Sequence, residues 1–281
     1  YNVGIVIGPR LNDIGRVEHA LDSLRLLCTR DSQKAKILAQ TLNETNRARQ
    51  DLTENSVAHA LSQVTLSNLI VASDKSYDEG IIGLIAAKLV EKHYRPAIAI
   101  SVGEKLSKGS ARSIPGFHIT EHLRSVSRLL VNVGGHSMAA GFTIESTKLT
   151  QFIETISHPE IPASLLIKRT RIDCEIPLSV IRDTLYEKIS QFEPFGLGPP
   201  TPTFLTKNVG ISNVRKIGKL NQHLKFQVGS LEAVWFNVPS PPPKLGEGPG
   251  VKYNLTYQID ENSWNDQSKL QLIVKDIQPS T

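Results

Sequence analysis

The chain has 281 residues, of which 40% are hydrophobic and 21% charged, and a net charge of +5. That balance builds packed cores and excludes a disordered, collagen-like or coiled-coil chain, while the length suggests roughly two domains. No apolar run reaches the ~18 residues of a membrane span, and the opening YNVGIVIGPR has no secretory-signal pattern. Two cysteines, Cys28 and Cys174, are too few for a disulfide framework or a cysteine zinc cluster, so a cytoplasmic, reducing compartment is expected. Positive charge collects in residues 1–50, 101–150 and 201–250, which hints at a polyanionic partner.

In chain order, a β-branched run (Val3 to Ile7) precedes a polar turn, GPRLNDIGR (8–16), and a short helix, VEHALDSLRLL. Residues 31–64 predict one long helix capped by Asp31 or Ser32, about 50 Å long at 1.5 Å per residue. Its middle, NETNRARQD (43–51), is polar all round, as in a helix that connects two domains.

Residues 65–160 alternate. A strand (66–74), an apolar helix (79–94), an apolar strand (96–102) and a short strand (109–114) are followed by an amphipathic segment (118–130). A Gly-rich turn leading to a strand (132–144) and a helix (149–156) complete an α/β domain. A Pro-bearing linker (158–163) leads to a β-rich region. Candidate strands there are 165–176, 201–217, 223–229, 231–238, 251–260 and 269–277, with one helix at 178–192 and a stiff loop at 239–250. Short alternating strands in this number suggest a small barrel of the OB type.

Three segments could carry chemistry. In the turn 8–16, Arg10 and Arg16 could present guanidinium forks to phosphate, or pair simply with Asp13 and Glu18. Lys108-Gly109-Ser110-Ala111-Arg112-Ser113 combines small residues, hydroxyls and an arginine. Gly134-Gly135-His136 precedes Ser137 to Gly141 in a run so small that something must pack close to it. His136 could donate to a phosphate or assist proton transfer. In the β-rich region Lys207, Arg215, Lys216, Lys219 and Lys225 lie among Phe204, His223, Phe226 and Trp235, a mixture that suits single strands. Phe226 and Trp235 equally suit a barrel core. His118 and His122 are spaced for one helix face, but with no third ligand a surface pair is the better reading. The sequence holds no carboxylate cluster for two hard metal ions.

Together GPRLNDIGR (8–16), LNETNRARQ (42–50), DEGIIGLIAAKLVEKHYRPAIAIS (78–101), KGSARSIPGF (108–117), GGHSMAAGFTI (134–144) and FEPFGLGPPTPTF (192–204) resemble the carboxy-terminal part of RecJ-type single-strand DNA exonucleases of the DHH–DHHA1 superfamily. Asp78 stands where that family usually has His, and Pro199 where it has Asn. The resemblance implies an α/β DHHA1-type domain behind a long connecting helix, followed by an all-β OB-fold barrel. It divides the chain into a remnant at the end of a missing DHH domain (1–28), the connecting helix (29–65), the DHHA1-like domain (66–160) and the OB-fold nucleic-acid-binding domain (165–281).

The resemblance further implies the substrate-binding half of a metal-dependent 5′→3′ exonuclease of DNA repair and recombination. Arg10 or Arg16, Gln50, Lys108, Ser110, Arg112 and Ser113 would contact single-stranded DNA and its 5′ phosphate. Gly134, Gly135 and His136 would face the catalytic cleft, His136 in a supporting catalytic role. Lys207, Arg215, Lys216 and Lys225 would grip the strand on the OB domain. Mn²⁺ or Mg²⁺ would sit on the missing DHH domain, from the same gene or a separate chain, and no metal ligand is expected on this chain; no membrane partner is expected. The rival readings are a non-catalytic nucleic-acid-binding scaffold subunit and a short-oligonucleotide phosphodiesterase.

Overall fold

The computed structural model describes residues 7, 8, 10, 11, 21–196, 198–218, 221–238, 245, 250–264 and 267–280, with the backbone alone at 263, 264 and 267. The chain forms two compact units, Tyr1–Lys168 and Arg169–Thr281.

In the first unit, α1 (Leu21–Cys28) packs against α2 (Ser32–Gln63). Asp31 caps α2: its side chain accepts from the Gln33 and Lys34 amides. The carboxy-terminal turns of α2 then join a core, where Ala60 is buried beside Leu52, Val57, Leu61 and Val64. No helix of the described residues is long and apolar enough to cross a membrane.

The α/β region that follows runs β1 (Ile70–Asp74), α3 (Ile82–His93), β2 (Ala97–Ser101), β3 (Leu106–Arg112), α4 (Ile119–Ser125), β4 (Leu130–His136), β5 (Ala139–Glu145) and α5 (Leu149–Ile156). The sheet order is β1-β2-β3-β5-β4, with β1 and β2 parallel and every other pair antiparallel. Period-two alternation gives the sheet two faces. Ala111, Ala140, Phe142 and Ile144 pack on one side with Ile119, Leu123, Phe152 and Ile156 from α4 and α5. Ile70, Ala72, Ala97 and Ala99 pack on the other with Ile82, Ile85, Ala86 and Leu89 of α3.

Of the Gly-rich turn leading to a strand expected at 132–144, the strand emerges as β5, but the turn is a strand as well, so the segment is a hairpin. Gly134, Gly135 and His136 lie in the edge strand β4, paired with Gly141, Ala140 and Ala139. The expected turn at 8–16 is helical at Gly8, Arg10 and Leu11, and residues 12–16 lie outside the described residues.

In the second unit the strands are β6 (Cys174–Glu175), β7 (Phe204–Val209), β8 (Ile211–Ile217), β9 (His223–Val228), β10 (Leu231–Trp235), β11 (Tyr253–Trp264) and β12 (Gln267–Pro279), with α6 (Asp183–Ser190) between the first two. The hydrogen-bonded order is β6-β7-β11-β12-β10-β9-β8. β7 and β8 are separated only by Gly210 and form one bent strand, which pairs with β11 on one side and β9 on the other. The bent strand thereby links β11 to β9 in a circuit of five strands, the plan of an OB barrel, with β6 added beside β7 and the parallel β10–β12 pair within the circuit. Phe226, Trp235, Tyr257, Leu255 and Leu272 fill the core, so these aromatics are structural.

Two expectations are corrected here. The segment 165–176 is a strand only at 174–175, and the helix expected at 178–192 shrinks to α6 behind a short 3-10 turn. A 3-10 turn at Ala163–Leu166 takes the start of the first, and no side chain caps the second at Arg182. The loop at 239–250 falls mostly outside the described residues.

Candidate nucleic-acid interface

The register of the first sheet places the expected site residues in rows. Lys108, Thr143 and Asn132 align across β3, β5 and β4; so do Ser110, Gly141 and Gly134, and then Arg112, Ala139 and His136. Directly paired residues share a face, so all nine lie on the side that α3 covers. That helix shields only the β1–β3 half: Ala97 and Ala99 are fully buried, whereas Gly141, Gly134 and His136 are exposed. The result is an open floor of Gly and Ala, about 10 Å wide by ordinary strand spacing, bounded by Arg112 and His136. A missing side chain at Gly134, where a Cβ would meet nothing within 4 Å, keeps this floor low.

Arg112 and Ser110 meet. The Arg112 guanidinium donates to Ser110 Oγ (3.1 Å) and to the Ala111 carbonyl (2.8 Å). It lies over Gly83 in the first turn of α3, where an added Cβ would stand 2.9 Å from Nη2 and 3.2 Å from Ser110 Oγ. Among the described residues no side chain caps α3 at its N-cap residue, Ile81. Gly83, which the guanidinium overlies, belongs to that first turn, and a cation beside an uncapped helix start is an arrangement that favours anions.

The loop before α3 is tied down. Asp78 accepts from the Gly80 amide (2.7 Å), and Ser76 donates to Asp74 (2.8 Å), which holds the Asp74 carboxyl below the usual carboxylate range. Tyr77 is buried, which pushes its hydroxyl up, and lies 3.1 Å from His59 Nδ1.

Other expected residues have different surroundings. Lys108 pairs with Glu79, which offsets its charge. Ser113 is buried and donates to the Phe117 carbonyl. Gly135 has φ +147°, and a Cβ there would come 2.3 Å from the Ala139 carbonyl; it is needed for hairpin packing. The His136 carbonyl accepts from buried Thr120, so the hairpin is anchored while the imidazole is exposed. Arg10 donates to Asn43 of α2 (3.3 Å), and exposed Gln50 lies two turns further along. Arg16 lies outside the described residues. His122 hydrogen-bonds with the Ile156 carbonyl (3.0 Å), a structural use of the imidazole.

In the second unit Arg215 and Lys225 are directly paired across β8 and β9. Lys216 is exposed and pairs with core-facing Leu224, so alternation turns it away from Arg215. Lys207 is on β7, joined to Glu175 (2.7 Å). Sequence reasoning missed Gly83, Thr143 and Asn132, which become neighbours only through the register. It also missed Asn213, Gln227, Glu232 and Phe236, although alternation along 223–236 carries the last three.

The DHHA1 domain model matches residues 66–158 and the RecJ OB domain model matches residues 172–276. The chain is 33% identical over 98% of its length to the single-stranded-DNA-specific exonuclease RecJ of Bacillus subtilis, of which it covers 36%. It is 28% identical over 99% of its length to the protein of the same name from Escherichia coli, of which it covers 51%. A crystal structure of RecJ from Thermus thermophilus in complex with Mn²⁺ superposes with a TM-score of 0.84 at 26% identity, over 99% of this chain and 41% of that one. The chain thus spans about a third to a half of the length of these relatives.

Among the described residues no three His, Cys, Asp or Glu side chains come together to hold a metal ion, so they do not fit the ion of that structure. The chain thus carries a DHHA1 domain followed by a RecJ OB domain, and it is similar over almost its whole length to part of these RecJ proteins.

Proposed function

We propose that the chain is the substrate-binding half of a metal-dependent 5′→3′ single-stranded DNA exonuclease of repair and recombination. The observation that carries this reading is the corner formed by Arg112, Ser110 and the uncapped start of α3, beside the open Gly141–Gly134 floor. A guanidinium and helix amides suit a terminal phosphate, whose charge exceeds that of an internal phosphodiester. A floor without side chains lets a sugar–phosphate chain approach the backbone closely. His136 stands at the far end of the row from Arg112, where it can position a phosphate. Arg10 and Gln50 would add contacts on the first unit, while on the second Arg215 and Lys225 share one face of the barrel, Lys216 lies on another, and Lys207 would first have to leave Glu175. The name of these relatives, single-stranded-DNA-specific exonuclease, supports the same reading.

Hydrolysis is not assigned to the described residues. Mn²⁺ or Mg²⁺ would be held by a DHH domain, the expected partner, in the cytoplasm. The domain plan that goes with this reading is a remnant (1–28), a connecting helix (29–65), a DHHA1-like domain (66–160) and an OB domain (165–281).

Fluorescence anisotropy with labelled single strands across a salt series tests the proposal. Expected are salt-weakened binding, tighter binding of 5′-phosphate than of 5′-hydroxyl ends, and loss of that preference in Arg112→Ala. Equal affinity for both ends, unchanged by the substitution, would overturn the assignment of the phosphate corner. Strand cleavage by the purified chain in Mn²⁺ would overturn the placement of the metal elsewhere.

A further inference from the structure

The outward face of β8, β9 and β10 is organised in rungs. Core-facing Leu224, Phe226 and Val228 alternate along β9 with His223, Lys225 and Gln227, which face outward. On β10, Glu232 pairs with Gln227, and Val234 pairs with Lys225. Just past β10, Phe236 stands beside His223 in an edge-on contact with ring centroids 5.2 Å apart. Phe236 is half exposed, and the Asn237 amide donates to His223 Nδ1 (3.0 Å), which fixes the imidazole beside it. An irregularity in β8 between Ser212 and Arg215 adds one residue against β9. Asn213 takes a left-handed conformation there (φ 53°). Its side chain thereby donates to Gln227 Oε1 (2.6 Å), and Arg215 turns to the face of Lys225.

These residues enclose a cavity of about 290 Å³ lined by Asn213, Arg215, Lys225, Gln227, Glu232 and the strand at Phe226. That is at the small end of ligand pockets, which run from roughly 300 Å³ upward, and suits one flat ring system. Across it Lys225 Nζ and Glu232 Oε2 stand 2.9 Å apart, the lysine side chain 21% exposed and the glutamate 40%. Glu232 keeps part of its carboxylate in water, so a ligand that satisfies both ends of the pair can replace it without leaving either charge unpaired.

We propose that this cavity is a base-reading pocket in which Glu232 and Lys225 take the Watson–Crick edge of a guanine in single-stranded DNA, with Phe236 and His223 as the adjoining stacking surface. The inference rests on the single-strand-binding reading above and deepens it. A carboxylate only accepts hydrogen bonds and an ammonium only donates them. The guanine edge offers two adjacent donors, N1–H and the N2 amino group, beside the acceptor O6. Glu232 can accept both donors while Lys225 donates to O6. Thymine, cytosine and adenine each offer that carboxylate donors from only one nitrogen. This edge is accessible only when the base is unpaired, so the pocket also favours single over double strands. Successive outward residues on a strand are about 7 Å apart, which places the Phe236 rung within reach of a neighbouring nucleotide.

The test measures anisotropy of the full 281-residue chain with a labelled oligothymidylate, the same oligonucleotide carrying isolated guanines, and one carrying hypoxanthine at those positions. Hypoxanthine lacks the N2 amino group. Expected are about five- to tenfold tighter binding with guanine than with thymine, an intermediate value with hypoxanthine, and loss of the difference in Glu232→Gln. The hypoxanthine arm probes the same contact without altering the protein. Equal, salt-weakened binding of all three would overturn the pocket and leave the single-strand reading standing. A guanine preference that survives Glu232→Gln would also overturn it. Failure to bind any of them would overturn both.

Discussion

Gly83 and Arg112 share one space: the guanidinium lies where a side chain on the helix would be, 2.9 Å from the position of a Cβ. A residue without a side chain in the first turn of α3 lets a cation from β3 lie against the amino-terminal end of that helix. The two elements are joined by packing rather than by sequence, since Gly83 and Arg112 are far apart along the chain.

Gly83→Ala therefore separates stability from binding. Alanine favours a helix over glycine by up to about 1 kcal/mol, and the atom it meets is the mobile end of an arginine. The melting temperature is expected to hold or rise, while the preference for 5′-phosphate over 5′-hydroxyl ends falls. A variant that keeps the full preference would show that the guanidinium does not need its place over the helix. Thermal melting and anisotropy on the same preparation give both readouts.

Gly109 presents the opposite case. A Cβ there would fall 2.0 Å from Phe142 Cζ, and that ring is buried against Phe152 at a centroid distance of 5.0 Å. The ring is buried and packed against its neighbours, so Gly109→Ala is expected to cost about 3 kcal/mol by overpacking. Phe142→Leu combined with it is expected to recover part of the loss. Urea denaturation of the single and double variants checks the sign of this coupling.

His93, in the last turn of α3, has a buried Nε2 with no hydrogen-bond partner. Burial pushes its pKa below the ordinary 6.5, and the charges of Lys92 and Arg95 push the same way. Below pH 6.5 the unfolded chain binds this proton and the folded chain resists it, so stability falls as pH falls through that window. His93→Gln removes the titration. Its melting temperature is expected to drop less than that of the parent between about pH 7.5 and 5.5. An identical drop in both proteins would place the effect on other groups.

The local elements were largely legible in the sequence. The 32-residue helix from Ser32 to Gln63 has an Asp cap and no Gly or Pro inside it. The helix over 149–156 emerges with the same bounds. Apolar alternation announced β9 and β10, because burial of one face imposes a period of two. The hairpin at 130–145 was misread because glycine is a turn signal in sequence. Here Gly134 and Gly141 instead keep a sheet surface bare, and Gly135 admits Ala139 and Ala140.

By itself, then, the sequence determined the order of elements, the family they resemble and the residue types available for binding phosphate. Only the tertiary structure decided which of those residues meet. Arg112 faces His136 across Ala139 because three antiparallel strands are in one register, and a shift of one residue would send every second side chain to the buried face. Lys108 and Lys207 carry the same charge as Arg112 in the sequence, yet in the fold each is paired with a carboxylate. On the barrel, one extra residue in β8 brings Asn213 to Gln227 and Arg215 beside Lys225. Such juxtapositions depend on pairing between distant segments, and that pairing is set by the whole core.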